Sequence, residues 1–290
     1  MALLRYPGGK SRYTDFILPA LYKVSGFSVY VEPFIGGGSV ALAMAAKYPD
    51  VKLVLNDFDQ GIAAFWDLIA NAPESEFETL GERILNTQPN ISLFKEMLVS
   101  NPSDRGGKAF RTFFLNRTSY GGMGWRPLGG KRQKSKGNID SRWGSARRII
   151  RELREARTLL YGRTKVLNTD FARAIPFAHE KALMFLDPLY YEKGNELYNF
   201  TWSDADHVRL RDALKHKNNW VMSYDDHPRI RELYPTLAFH MAVKYSGGKQ
   251  RKRTNELLLS PRLEFPSDIN PELGMGDALR IWIKGFGPND

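Results

Sequence analysis

Four consecutive residues near the middle of the chain could bind a planar ring that carries an amino group. An apolar run ends at Leu186, and Asp187-Pro188-Leu189-Tyr190 follows it. The Asp187 carboxylate and the Pro188 carbonyl are hydrogen-bond acceptors for an amino group, and the Tyr190 ring can stack on a planar partner. An ordinary strand that stops at a proline gives the same pattern, so this tetrapeptide alone leaves both interpretations open.

A glycine cluster nearer the N-terminus could hold a nucleotide. Gly36-Gly37-Gly38 follows a short β-type run, and Asp57 ends the next apolar run about 20 residues later. Backbone N–H groups without side chains can approach a ligand closely, and an acidic residue at this distance can accept hydrogen bonds from ribose hydroxyls. A tight turn with a surface Asp is the alternative. The P-loop is not a good match, because Gly8-Gly9-Lys10-Ser11 has no strand before it.

The hydrophobic pattern predicts the elements that would position these residues. Ser39–Lys47 is rich in helix formers with Ser39 as a possible N-cap, helical spacing runs from Phe58 through Leu98, and Arg147–Tyr161 is an amphipathic helix. A strand, a glycine turn, a helix, a strand and an acidic residue in that order predict a doubly wound, mainly parallel α/β sheet. The predicted strands are Val29–Val31, Val51–Leu55, Lys165–Leu167, Ala182–Leu186, Trp220–Ser223, Phe239–Val243 and Glu256–Leu259.

The positive charge is concentrated in one segment. The 290 residues include 42 Lys and Arg and 32 Asp and Glu, for a net charge of +10. Residues 101–157 hold 15 basic and four acidic residues, a net of +11, and the remainder has a net of −1. Aromatic and glycine residues between these charges indicate a polyanionic partner, with a solvated basic face as the alternative. We expect residues 58–159 to form a mainly helical, basic insertion in a sheet domain of residues 1–57 and 160–290.

Composition excludes several classes of site. The chain has no cysteine, so it has no disulfide, thiol nucleophile, zinc ribbon or iron–sulfur cluster, and its five His are scattered. No apolar run reaches the length of a membrane span, and the N-terminus does not resemble a signal peptide. These features predict a soluble protein of a reducing compartment, with no metal.

An ordered set of motifs resembles the Dam-like family of DNA adenine N6-methyltransferases, of the Asp-Pro-Pro-Tyr type. The resemblance implies a class I methyltransferase-like α/β fold with a helical DNA-recognition insertion. It also implies transfer of a methyl group from S-adenosylmethionine to an adenine flipped out of duplex DNA. The matching segments cover most of the chain: Tyr6–Lys10, Glu32–Ser39, Leu55–Asp59, Asn116–Gly122, Gly137–Trp143, Asp187–Tyr190 and Thr254–Leu258.

The resemblance assigns the target base to Asp187, Pro188 and Tyr190, which would be the catalytic residues. An Asp rather than a Ser at the first of these positions favours adenine N6 over cytosine N4 as the target. Leu189 stands where the family usually has a second proline and could loosen the loop. The groups that touch the base are retained, so activity is expected to survive.

The resemblance also assigns the cofactor and the DNA. Asp57 would bind the ribose of the cofactor, and Asp170 with Phe171 would read its adenine ring. The implied cofactor-binding residues are Tyr6, Gly8, Gly9, Lys10, Glu32, Pro33, Phe34, Gly36, Gly38, Ser39, Asp57, Asp170, Phe171 and Asp187. The implied DNA-binding residues are Asn116, Arg117, Ser119, Tyr120, Arg126, Lys131 and Arg132.

The expected partner is double-stranded DNA, and a cognate restriction endonuclease could accompany the enzyme. We expect a monomer or weak dimer of prokaryotic or phage type, in the cytoplasm with the nucleoid and without a membrane. Two alternatives stay open: the same chemistry on RNA or single-stranded DNA, and a catalytically impaired DNA-binding relative.

Overall fold

A seven-stranded mixed sheet is the centre of the computed structural model. The model describes residues 3–5, 10, 17–18, 21, 26–119, 122, 143–192, 201–235, 238–244 and 253–261. The strand order is β3-β2-β1-β4-β5-β7-β6. The strands are β1 (Val29–Glu32), β2 (Lys52–Asn56), β3 (Thr164–Leu167), β4 (Ala182–Leu186), β5 (Trp220–Asp225), β6 (Ala238–Lys244) and β7 (Arg253–Leu259).

The first five strands are parallel, and β7 lies antiparallel between β5 and β6. Successive strand residues belong to two different hydrophobic clusters, because side chains of a strand point alternately to opposite faces. Tyr30 and Phe185 belong to one cluster, and Val31 and Met184 belong to the other. A mainly parallel sheet with a core on each face confirms the predicted doubly wound α/β fold.

Five helices of the described residues lie between β2 and β3, and the first of them packs against β3. The helices of the described residues are α1 (Ser39–Lys47), α2 (Gln60–Asn71), α3 (Glu74–Asn86), α4 (Ile91–Val99), α5 (Arg105–Thr118), α6 (Ala146–Leu160), α7 (Phe171–Ala174), α8 (Asp204–Leu214) and α9 (Pro228–Leu233). Side chains cap several of them, as polar residues before a helix commonly do. Asp59, Asn90 and Asp104 each accept a hydrogen bond from a backbone N–H in the first turn.

The suggested N-cap of α1 is wrong. Gly38 is the cap residue, in the left-handed conformation and with no side chain to accept a hydrogen bond. Ser39 is already the first helical residue and is buried. The chain needs glycine here because the turn from β1 into α1 uses a positive φ of 67°.

The helices between β2 and β3 share one hydrophobic cluster with a face of the sheet. Phe65 and Trp66 of α2, Phe113 of α5 and Leu153 of α6 are in the same cluster as Leu55 of β2. The Phe65 and Phe113 rings are stacked, with centroids 5.6 Å apart. The proposed division into a sheet domain and a helical insertion stays a prediction.

No helix among the described residues has the length and apolar character needed to cross a lipid bilayer.

The carboxyl ends of β1 and β4 are neighbours at the point where the strand order reverses direction. From β1 the sheet continues to β2 and β3 on one side and to β4 and β5 on the other. At such a switch point the two loops turn toward opposite faces of the sheet, so a crevice forms between them. Open α/β sheets bind ligands in this crevice. The glycine turn follows β1, and Asp187 follows β4, so both predicted motifs open into this crevice.

Candidate active site

The glycine turn after β1 is held to the end of β2 by the carboxylate of Asp57. The backbone N–H of Gly36 donates to Asp57 Oδ2 at 3.0 Å, and the N–H of Asp59 donates to Asp57 Oδ1 at 3.0 Å. Both oxygens are thereby fixed in orientation. Withdrawal from water raises the pKa of Asp57 from 3.8 to about 7, and the nearby Asp59 charge acts in the same direction.

Trp66 supports the glycine turn from below. Its indole Nε1 donates to the carbonyl oxygen of Gly36 at 2.9 Å, and its ring is fully buried. A Cβ added to Gly38 would lie 2.2 Å from a carbon of this ring, closer than any side chain can approach. The turn therefore requires glycine for close contact as well as for its positive φ.

Amide side chains join the ends of β2 and β3 to the turn. Asn56 Nδ2 donates to the carbonyl oxygens of Pro33 and Thr169 at 2.9 and 3.1 Å, and its Oδ1 accepts from Thr169 N at 3.1 Å. Asn168 Nδ2 donates to the carbonyl oxygens of Asp57 and Phe58. Three consecutive strand ends are thus fixed relative to one another, which holds the carboxylate of Asp57 in place.

An aromatic group stands beside the predicted adenine-reading pair. The rings of Phe34, Phe171 and Trp202 contact one another, with centroids 5.2 to 5.8 Å apart. Asp170 caps α7 by accepting from Ala172 N and forms an ion pair with Arg209 at 3.0 Å. The structure therefore places Phe171 against Phe34 with Asp170 beside it in the chain, and the assignment of Asp170 and Phe171 to a cofactor stays a prediction.

Phe58 is a site residue that the sequence analysis missed. It follows Asp57 directly, and its large apolar side chain is 61% exposed. With Asn168 and Thr169 it lines a cleft of about 460 Å³. An exposed aromatic ring next to the carboxylate that is predicted to bind ribose is suited to cover a planar base, and its position after the strand-ending Asp was the available signal.

Glu32 ends β1 as a buried carboxyl group. It is 3% exposed and accepts a hydrogen bond from the Tyr30 hydroxyl at 2.7 Å. Burial raises the pKa of Glu32 from 4.5 to about 8 against the effect of that hydrogen bond, and the charge of Asp187 raises it further. A carboxyl group that changes charge near neutral pH therefore lies between the two halves of the crevice.

The Asp187 carboxylate is held by two donors. Lys10 Nζ lies 2.8 Å from Asp187 Oδ1, and the Ser223 hydroxyl donates to the same oxygen at 2.8 Å. The Lys10 ammonium also donates to the Tyr190 hydroxyl at 2.8 Å and lies 3.8 Å from the carboxylate of Glu256. Lys10 thus connects two of the three predicted catalytic residues from a buried position.

Pro188 is buried behind Asp187, while Asp187 and Tyr190 are partly exposed toward the crevice. The Tyr190 ring is stacked on Tyr224 of β5 with centroids 6.1 Å apart. Ser223, Tyr224 and Glu256 were missed by sequence reasoning. The signal for Ser223 was a polar residue after the apolar run of β5, whereas nothing in the sequence links Glu256 to Lys10.

Of the predicted DNA-binding residues, Asn116, Arg117 and Ser119 lie in or just after α5. Asn116 is buried and hydrogen-bonds the backbone N–H and carbonyl of Arg5 and the carbonyl of Gly122. Arg117 donates to the Trp143 carbonyl, and burial lowers its pKa to about 10. Tyr6, Gly8, Gly9, Tyr120, Arg126, Lys131 and Arg132 lie outside the described residues.

The arginines of α6 are largely matched by acids. Arg148 pairs with Glu152, Arg154 with Glu78, and Arg157 with Glu74, the last of these also donating to two carbonyls at the end of α2. Many positive charges in the described part of the basic segment thus have a structural use.

The crevice combines two kinds of site. One half offers a fixed carboxylate and aromatic rings, which suit a nucleoside. The other offers a carboxylate, a carbonyl and a ring, which suit an amino-substituted base. Among the residues that the structure describes, no three His, Asp or Glu side chains are grouped closely enough to hold a metal ion.

Comparisons with known proteins agree with this arrangement. Residues 6–246 match the family model described as D12 class N6 adenine-specific DNA methyltransferase. A type II methyltransferase of Lactococcus lactis subsp. cremoris is 27% identical over 278 residues, covering 86% of this chain and 90% of that protein. A type II methyltransferase of Methanocaldococcus jannaschii is 24% identical over 231 residues, covering 71% and 76%. The DNA N-6-adenine-methyltransferase of Escherichia phage P1 is 26% identical over 225 residues, which is 73% of this chain and 28% of that protein.

Proposed function

Because this chain belongs to the D12 class of N6 adenine-specific DNA methyltransferases, we propose that it methylates the exocyclic nitrogen of an adenine flipped out of duplex DNA. S-adenosylmethionine is the proposed methyl donor. One observation carries the proposal: the buried Lys10 ammonium contacts both the Asp187 carboxylate and the Tyr190 hydroxyl. These residues lie at the switch point of the sheet, beside the glycine turn that is bonded to Asp57. The crevice therefore has an acceptor for the target amino group next to a nucleoside site.

The residues around Asp57 fit the nucleoside part of S-adenosylmethionine. Asp57 would accept the ribose hydroxyls, because both its oxygens are oriented by backbone donors and have lone pairs left for a ligand. Phe58 and Phe171 would contact the adenine ring, and Asp170 would accept from its amino group. When bound, the cofactor supplies an electrophilic methyl group on a sulfonium.

Asp187 and Pro188 would activate the target nitrogen. The lone pair of an adenine amino group is delocalised into the ring, so the nitrogen is a poor nucleophile. Hydrogen bonds from this group to the Asp187 carboxylate and the Pro188 carbonyl favour a pyramidal nitrogen and stabilise the positive charge that develops on it. Ser223 and Lys10 both contact Asp187 Oδ1, so Oδ2 would be the oxygen that accepts from the amino group.

Tyr190 would stack on the flipped base. Extrusion of an adenine costs a few kcal/mol of unpairing and unstacking. Stacking on an aromatic side chain returns about 1–3 kcal/mol. The Tyr190 ring is suited to this because Tyr224 supports one of its faces and the Lys10 ammonium fixes its hydroxyl.

Asn116 would act on DNA indirectly, by shaping the protein surface, since it is buried and its amide is bonded to the protein's own backbone. Arg117 is likewise bonded to the Trp143 carbonyl. A cognate restriction endonuclease is a further proposal, supported by the type II designation of two relatives.

The test is transfer of a labelled methyl group from S-adenosylmethionine to duplex DNA, single-stranded DNA and RNA of one sequence, followed by detection of N6-methyladenine. We expect methylation of the duplex and its loss in Asp187→Ala, with the unfolding temperature retained. Asp212→Ala, which removes an exposed carboxylate on α8, is the matched control and should keep activity. Full activity of Asp187→Ala would refute the assignment of Asp187 to the active site. Preferential methylation of RNA or single-stranded DNA would refute duplex DNA as the substrate.

A further inference from the structure

Strand β5 extends past the end of β4 and lies alongside the loop that carries the catalytic residues. The last pair of the β4–β5 ladder is Leu186 with Met222, and β5 continues for three more residues to Asp225. Each of these three contacts the loop that follows β4. Ser223 bonds Asp187, Tyr224 stacks on Tyr190, and Asp225 bonds the backbone just beyond.

The Asp225 side chain binds the backbone at the far end of this loop. Its Oδ1 accepts from Tyr191 N at 2.9 Å, and its Oδ2 accepts from Glu192 N at 2.8 Å. The residue is 7% exposed, so water competes little for these hydrogen bonds. A carboxylate that accepts two adjacent N–H groups, one with each oxygen, fixes the direction of the peptide between them.

The Tyr191 side chain is anchored at the same place. Its ring is stacked on His227 with centroids 4.4 Å apart and contacts His207 at 4.8 Å, and its hydroxyl donates to Asp204. The chain leaving the catalytic loop is therefore fixed by both its backbone and its side chain. The only described residue that bonds the backbone N–H groups of Tyr191 and Glu192 through its side chain is Asp225.

The leucine at position 189 gives the contacts between Asp225 and the loop backbone a purpose. A proline at this position, as in the Asp-Pro-Pro-Tyr pattern, would lock φ near −65° and would reduce the freedom of the loop in advance. Leucine leaves φ free, so the path of the loop backbone depends on contacts at its two ends, in addition to the contacts of the Tyr190 side chain with Lys10 and Tyr224. Ser223 supplies the contact at the start, and Asp225 supplies the contact at the end.

We propose that Asp225 is a positioning residue for the methyl transfer, and that its grip on the loop compensates for the proline that Leu189 replaces. The inference rests on the proposed function. Asp225 touches neither the base nor the cofactor in this role. It holds Tyr190 and the Pro188 carbonyl at the geometry that the reaction needs, and small displacements of such groups have large effects on rate.

The experiment is a double-mutant cycle between Asp225→Asn and Leu189→Pro, read as kcat and KM for methylation of duplex DNA. Asp225→Asn should lower kcat by about tenfold and leave the KM for S-adenosylmethionine within about twofold, because the loop moves and the cofactor cradle does not. Leu189→Pro should change wild-type kcat by less than about threefold, yet recover most of the loss in the Asp225→Asn background.

Asp206→Asn is the matched control. Its carboxylate also accepts a backbone N–H, that of Ser203 at 2.9 Å, but at the start of α8 rather than in the catalytic loop. It should lower the unfolding temperature and leave kcat unchanged. If Asp225→Asn does not fold, Asp225→Ser takes its place, since a serine hydroxyl cannot accept from both N–H groups with two oxygens.

Amide hydrogen exchange tests the grip without any need for activity. The amides of Tyr191 and Glu192 should exchange at least about tenfold faster in Asp225→Asn than in wild type, and in Asp206→Asn they should not. Unchanged exchange, wild-type kcat in Asp225→Asn, or equal effects of Leu189→Pro in both backgrounds would overturn the inference. A wild-type protein that transfers no methyl group would instead refute the proposed function, while exchange would still report on the grip.

Discussion

Replacing Gly38 with alanine should open the turn that carries the cofactor cradle. Two separate costs arise at this position. The first is conformational, because Gly38 has a φ of +67° and an L-residue in this region is disfavoured by about 1–2 kcal/mol. The second is steric, because the new Cβ would lie 2.2 and 2.4 Å from two ring carbons of Trp66.

The steric cost has no easy relief. Trp66 is fully buried, packs edge-on against Phe65 and donates to the Gly36 carbonyl. Moving its ring would disturb the core and break the hydrogen bond that supports the turn, and overpacking of this kind costs about 1–3 kcal/mol. Together the two costs lower the free energy of unfolding by roughly 2–5 kcal/mol. At roughly 2–4 °C for each kcal/mol, the unfolding temperature should fall by roughly 4–20 °C.

Thermal unfolding and calorimetric titration with S-adenosylmethionine measure the two consequences. Gly38→Ala should unfold earlier and bind the cofactor more weakly, because the Gly36 N–H that orients Asp57 lies in the displaced turn. Gly81→Ala is the control, and it should change the stability in the opposite direction. Gly81 lies inside α3 with no atom within 4 Å of an added Cβ, so alanine should raise stability by about 0.5–1 kcal/mol. A Gly38→Ala protein with wild-type stability and cofactor affinity would refute the reasoning.

Four further outcomes are expected. Burial holds the proton of Glu32 more tightly in the folded than in the unfolded chain, so its contribution to stability falls as pH rises from 4.5 to about 8; denaturant unfolding at pH 6 and pH 8.5 should differ less in Glu32→Gln than in wild type. Burial raises the pKa of Asp57 to about 7, so under the proposal that its ionised form accepts the ribose hydroxyls, cofactor affinity measured by calorimetry should weaken as pH falls below about 7 in wild type, and this dependence should disappear in Asp57→Asn. Asn116→Ala should lower the free energy of unfolding by roughly 2–4 kcal/mol, since three buried hydrogen bonds to Arg5 and Gly122 are lost; an unchanged denaturation midpoint would contradict this. Fluorescence anisotropy should show DNA affinity falling steeply with added salt, whereas a flat salt dependence would argue against phosphate contacts from the basic segment.

The sheet was predictable because its strands are apolar and short. The prediction of Ala182–Leu186 matches β4 at both ends, and the other strands differ by only a few residues. Parallel strands buried on both faces read as continuous apolar runs, and the glycines and prolines after them mark where they stop. The strand order needed the structure, since pairing between distant segments leaves no local signal.

The carboxylates of the site were predictable from the sequence, whereas the residues that hold them in place were not. Asp57 and Asp187 stand at strand ends, where the pattern of the chain shows them directly. The contacts that hold them come from distant positions: Lys10 is 177 positions from Asp187, and Asp225 lies one strand away from the loop that it grips. Gly38 was found as a turn residue, but its need for glycine comes from a tryptophan in another helix, which only the packing reveals.

The continuous core between the sheet and helices α2 to α6 has a consequence for engineering new target specificity. Exchange of this whole helical segment for that of a relative would remove Phe65, Trp66 and Phe113, leave Leu55 of β2 against unfamiliar neighbours, and take away the indole that supports the glycine turn. Chimeras made at the ends of α2 and α6 should therefore lose cofactor binding together with stability. Grafts between α5 and α6 that retain Gly122, whose carbonyl accepts from Asn116, and Trp143, which packs on Phe113, should preserve more of that shared core.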